Sequence, residues 1–167
     1  MQPQSLISNT VNPANLLEIQ ILSNIITELH SKNDIRGSIP YLAKIVQIID
    51  NQKLERGSDK DRYYRQLNEY RKVQSRAHFD LGEAYFKTQD FISSEISLSI
   101  AVKSWEKLLK YENTVEFKKD LSIAYDYLKI CYESMGKHQL AQYMESRKAK
   151  LHEFSFINKG EKGNTSL

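Results

Sequence analysis

From Asp61 to Thr88 nothing in the chain interrupts a helical reading. Tyr63, Leu67, Tyr70, Gln74, Ala77, Leu81 and Ala84 recur at alternating steps of four and three residues. That spacing keeps side chains on one face, so one helix of roughly 28 residues is expected. With three prolines and six glycines in 167 residues, the chain also lacks the turn-formers an all-β protein needs. All-α is the fold class these observations imply.

The flanking segments read the same way. Asn12 can cap a helix whose first turn holds Pro13, where a missing N–H costs nothing. Leu16, Ile19, Leu22, Ile26 and Leu29 form its apolar stripe. "SKND" ends it, and Asp34 or Ser38 can cap a second helix, in which Pro40 is tolerable only in the first turn. Leu42, Ile45, Val46 and Ile49 carry that stripe, and the helix runs to about residue 55. "ERGSDKD" is the linker, with Gly57 as stop and Ser58 or Asp59 as the next cap. After the long helix, Gln89 and Asp90 turn the chain into a helix from Phe91 to about Tyr111, with Ile96, Ile100, Trp105 and Leu108 along one side. Thr114 can cap a fifth helix through Met135, ended by Gly136 in a left-handed conformation, and a sixth runs from about His138 to Phe154. The result is three antiparallel pairs in one domain over residues 12–156, between a flexible N-terminus at 1–11 and a disordered polar tail at 157–167.

Several function classes drop out. Cys131 is the only cysteine, so an intrachain disulfide and a four-cysteine zinc site are excluded. His30, His78, His138 and His152 are scattered without ligand-like spacing, and no metal or other cofactor is expected. No apolar run reaches the length of a membrane span, and the N-terminus lacks the basic-then-apolar order of a secretory signal. Cytoplasm or nucleus is the expected compartment. Phosphate-cradle, dinucleotide and nucleophile-elbow motifs are absent. Cys131, between Ile130 and Tyr132, reads as a packed side chain, and Asp80 and Glu83 as surface charges, so no catalytic activity is expected.

The pairs also align with one another. Leu81, Gly82, Tyr85, Phe91 and Ala101 stand at the spacing of the tetratricopeptide (TPR) pattern, and residues 75–108 resemble one 34-residue TPR unit. Ser94 stands where that family usually has alanine and His78 where it often has tryptophan. A weaker resemblance covers residues 122–155 through Tyr125, Leu128, Tyr132, Gly136 and Ala141, with Lys129 in place of the small residue. Weaker again are residues 19–52, where Leu22, Ile25, Leu29, Asn33, Ile35, Ser38 and Leu42 fall in register. From Ile26 to Gly82 is 56 residues and from Gly82 to Lys129 is 47, so the units are not tandem 34-residue copies and their helices are lengthened. The resemblance implies a right-handed superhelical array of about three pairs, stacked because one pair cannot bury its apolar face alone.

By the same resemblance, the first helix of each pair lines a concave groove that holds another protein. The second pair would contribute Arg76, Phe79, Asp80, Glu83, Phe86 and Lys87, and the third Ile123, Asp126, Tyr127, Ile130 and Glu133. The first would contribute Gln20, Ser23, Asn24, Thr27 and His30. Phe79, Phe86, Tyr127 and Ile130 would form an apolar strip edged by carboxylates, suited to a partner helix or extended peptide; alternatively Phe79 and Phe86 pack inside the domain. The family's clamp for an acidic chaperone C-terminus has no counterpart, since Ser23, Thr27, Asp80, Ile123 and Tyr127 occupy its positions. The expected function is that of a non-catalytic adaptor or scaffold. The alternatives are a peptide-sensing regulator and a helical protein with a basic nucleic-acid-binding face.

That last alternative rests on "KLERGSDKDRYYRQLNEYRKVQSR", which holds eight basic and four acidic residues with three interleaved tyrosines. Arg62, Arg65, Arg71, Lys72 and Arg76 could track a phosphate backbone. The plainer reading, preferred here, is a solvated helix face whose tyrosines point inward. The net charge of +3 does not by itself call for nucleic acid.

Overall fold

The computed structural model describes residues 11–112 and 115–160. Those residues form six helices: α1 (Pro13–Ser31), α2 (Ile35–Asp50), α3 (Lys60–Lys87), α4 (Phe91–Leu109), α5 (Val115–Ser134) and α6 (His138–Gly160). No strand occurs among the described residues. The caps follow from local chemistry. Asn12, Asp34, Asp59 and Asp90 each accept a backbone N–H of the following first turn through the side chain. The long helix expected over residues 61–88 is α3.

Three short turns close the pairs, and all three are built alike. At the first, Asn33 N donates to His30 O and Asp34 N to Leu29 O; at the second, Gln89 N donates to Phe86 O and Asp90 N to Tyr85 O. At the third, Gly136 N donates to Glu133 O and Lys137 N to Tyr132 O. This is the Schellman closure, with Asn33 (φ 60°), Gln89 (φ 64°) and Gly136 (φ 72°) in the left-handed region it requires. The turn residues are separated by the 56 and 47 residues that the sequence alignment gave for Ile26, Gly82 and Lys129. Ser38, Ser94 and Ala141, each five residues past its turn residue, are all buried.

Each helix packs on the next in sequence, and α3 also touches α5. Three apolar clusters result, with α3 contributing to all of them. Val73 joins Val11, Ile19, Ile48 and Ile49; Leu81 and Ala84 join Ile26, Leu42 and Val46. Phe79 joins the largest, which includes Leu98, Trp105 and Leu108 of α4 with Leu121, Tyr125 and Leu128 of α5. The α3–α4 approach depends on Gly82, because a Cβ there would lie 2.7 Å from Leu98 Cγ and 3.1 Å from the Leu98 backbone nitrogen. Its carbonyl accepts from Ser94 Oγ at 2.8 Å, across the same contact.

Several boundaries differ from expectation. α2 stops at Asp50 rather than near residue 55, and Pro40 lies in its second turn, tolerated on the exposed side. Ile96 faces solvent, because the buried stripe of α4 runs through Ser94, Ser97/Leu98, Ala101 and Trp105. Val11, placed in the flexible N-terminus, is buried against α1–α3, and α6 continues past residue 156 to Gly160. Thr114 as a cap and the tail from residue 161 lie outside the described residues.

Helix lengths set the outline. α3 begins 29 residues before its turn residue, whereas α1 and α5 begin 20 and 21 before theirs. At 1.5 Å per residue, the start of α3 projects by about 13 Å beyond its counterparts, away from the turns.

Candidate functional site

Helices α3 and α5 are the first members of successive pairs, and their contact gathers most of the residues expected to meet a partner. The ring of Tyr127 stacks on Phe86 (centroids 4.2 Å apart, 26° between planes) and more loosely on Phe79 (6.3 Å, 19°). Its hydroxyl donates to Glu83 Oε1 at 3.4 Å, and Glu83 is held by Lys87 at 2.7 Å. Burial, with the Glu83 carboxylate next in effect, raises the Tyr127 pKa, so the phenol stays a neutral donor. Ile130 is 41% exposed beyond this stack. Asp126 is bound by Lys148 of α6 at 2.6 Å.

Phe79 is not on this surface. It is 3% exposed, its ring 5.3 Å from that of Trp105, because α3 is enclosed by α2, α4 and α5 at that level. The core alternative therefore holds for Phe79, while Phe86 is half-buried at the edge. Next to it, Arg76 bridges Asp80 (2.8 Å) and Asp120 (3.3 Å) and lies over the Phe79 ring. Burial raises the pKa values of Asp80 and Asp120 above the usual 3.8, against the opposing pull of Arg76. Phe86, Tyr127 and Ile130 thus form an apolar ridge, edged by Glu83, Lys87 and the Asp126–Lys148 pair.

The basic residues of α3 divide. Lys72 is held by Glu69 and by Glu112, both at 2.9 Å. Burial alone would lower its pKa, but the two carboxylates outweigh that and raise it. Arg71 donates to Asn68 at 3.3 Å and Arg76 is committed as above. Only Arg62 and Arg65 of the expected set stand exposed on the projecting turns, and there the inward placement of the tyrosines fails. Tyr70 does point inward, its hydroxyl donating to Ile49 O at 3.1 Å, whereas Tyr64 is 55% exposed.

One partly buried polar cluster escaped the sequence. His78 Nε2 donates to Asp50 Oδ2 at 2.9 Å; Gln74 Nε2 donates to Asp50 Oδ1 at 3.1 Å, and Ser104 Oγ to Gln74 Oε1 at 3.3 Å. The chain ties α2, α3 and α4 together, while His78 Nδ1 is buried with no partner among the described residues. The sequence separation of 28 between Asp50 and His78 offered no motif by which to pair them. No group of three His, Cys, Asp or Glu among the described residues is placed to hold a metal, and no described helix is long and apolar enough to cross a membrane. No family model, curated protein or solved structure matches this chain.

Proposed function

We propose that the chain is a non-catalytic adaptor or scaffold subunit, a right-handed TPR-like array of three helix pairs that holds a partner peptide or helix on the face shared by α3 and α5. The observation that carries this reading is the α3–α5 contact. There the first helices of the second and third pairs touch while α4 packs against both, the arrangement from which a stacked array gains an inner face. The three identical turns in one register support the same stacking. Phe86, Tyr127 and Ile130 supply apolar anchoring area, and Glu83 and Asp126 favour a partner carrying some basic residues.

The test is recovery of a stoichiometric partner by the intact chain, repeated with Ile130→Asp and with Phe86→Ala. Capture should fall about tenfold or more in each, the size of an interface anchor, with the helical circular dichroism signal unchanged. Undiminished capture by both variants overturns the assignment of the α3–α5 face.

A further inference from the structure

The projecting start of α3 carries a second surface, unrelated to the α3–α5 face. Because α2 ends at Asp50, what flanks the turns that precede Tyr70 is the linker, whose Arg56 lies over Tyr63, and Tyr111 just past α4. Asp61, Tyr64, Arg65 and Asn68, one helical face by their three- and four-residue steps, line an open cleft of about 360 Å³ closed on its far side by Tyr111. Tyr64 is 55% and Tyr111 67% exposed. Tyr64 meets Tyr63 edge-on, so one of its faces and the Tyr111 ring stay in water beside the Arg65 guanidinium. The nearby Tyr63 is already occupied, edge-on to Tyr64 at 5.8 Å and under the Arg56 guanidinium at 5.5 Å.

Charge around the cleft is positive in balance, although its lining holds Asp61 as well as Arg65. Arg56, Lys60, Arg62 and Arg65 are exposed on the α3 side, Lys107 and Lys110 on the α4 side. Against these six cations stand three exposed carboxylates, Glu55, Asp59 and Asp61, while Glu69 and Glu112 are engaged by Lys72.

We propose that this cleft is a docking site for single-stranded nucleic acid. A base enters between Tyr64 and Tyr111, where stacking requires only a π-face, and the backbone runs over Arg62 and Arg65. Asp61 would repel a phosphate in the cleft but accepts an amino or imino proton from a base edge, and Asn68 can both donate and accept. The site therefore takes bases inside and phosphates outside. A duplex, whose bases are already stacked on one another, cannot use it.

Fluorescence anisotropy with labelled oligo(dT) and mixed-sequence RNA of about 12 nucleotides, in about 50 mM salt, tests this. The intact chain should bind, and Tyr64→Ala/Tyr111→Ala should weaken binding by about tenfold or more. Tyr64→Phe/Tyr111→Phe should leave it within about twofold, since the ring and not the hydroxyl stacks. Arg62→Glu/Arg65→Glu should make the slope of log K against log salt shallower by about 1.4, two phosphates at about 0.7 each. All four positions are at the surface, and circular dichroism checks each variant's fold. Three results overturn the proposal: no binding up to about 100 μM, the range of non-specific affinity; a duplex bound as tightly as the single strand; or the alanine pair without effect. Equal binding of a polyglutamate chain of matched charge also overturns it, and would make this an acidic-polypeptide surface instead.

Discussion

Leu98 is fully buried and cannot retreat from a side chain added at Gly82, which fixes the sign of a substitution there. An alanine in a helix gains about 1 kcal/mol over glycine, but forcing a methyl into a filled contact costs about 1–3 kcal/mol. Gly82→Ala should therefore lose about 1 kcal/mol net, read as a Tm lower by about 2–4 °C. Gln89 presents the opposite case. A side chain in the left-handed region costs about 1–2 kcal/mol, and glycine's greater freedom when unfolded returns only about 0.5–1 of that. Gln89→Gly should raise stability by about 0.5 kcal/mol or more in urea unfolding, whereas Gly136→Ala should lower it. Cys131 is fully buried and burial raises its thiol pKa, so thiol reagents should label it only as fast as the chain opens.

Between elements, the polar tie from α2 to α4 makes a sharper forecast than any single residue. Asp50→Ala leaves the buried imidazole of His78 without its acceptor and should cost about 1–3 kcal/mol, while the pair Asp50→Ala/His78→Leu should recover most of that loss. On the α3–α5 face the forecast concerns acid. With their pKa values raised on folding, Asp80 and Asp120 bind protons more tightly in the folded chain, so their contribution to stability falls as pH rises from about 3.8 through the raised values. Asp120→Asn should then melt above the parent at pH 7, the gap closing as pH approaches 4. Much of this level was legible from spacing alone: the six helices, three of the caps and the register that equates Ile26, Gly82 and Lys129. The misplacements share a cause. Periodicity tells which side of a helix is apolar but not how many neighbours enclose it, so Phe79, surrounded on three sides, was not separable from Phe86. Likewise the exposure of Tyr64 depends on α2 stopping five residues short, an end that no proline or glycine marks.

For the molecule as a whole, neighbour-to-neighbour packing implies that damage stays local. Ala141→Asp puts an unpaired charge into the α3–α6 cluster, and hydrogen exchange should show lost protection in α5 and α6 with little change in α1 and α2. Uniform loss along the chain would mean a single closed unit and would contradict a stacked array. The three like-built turns carry a last consequence. Since the three Schellman turns close the same end of each pair, differences in helix length are absorbed at the opposite ends, where α3 already overhangs. A duplicate of residues 57–112, spliced in after Glu112, would place a new fold-back 56 residues after Gln89, the spacing already found between Asn33 and Gln89. The chain could thus lengthen by whole hairpins, keeping one border level and letting the other grow ragged.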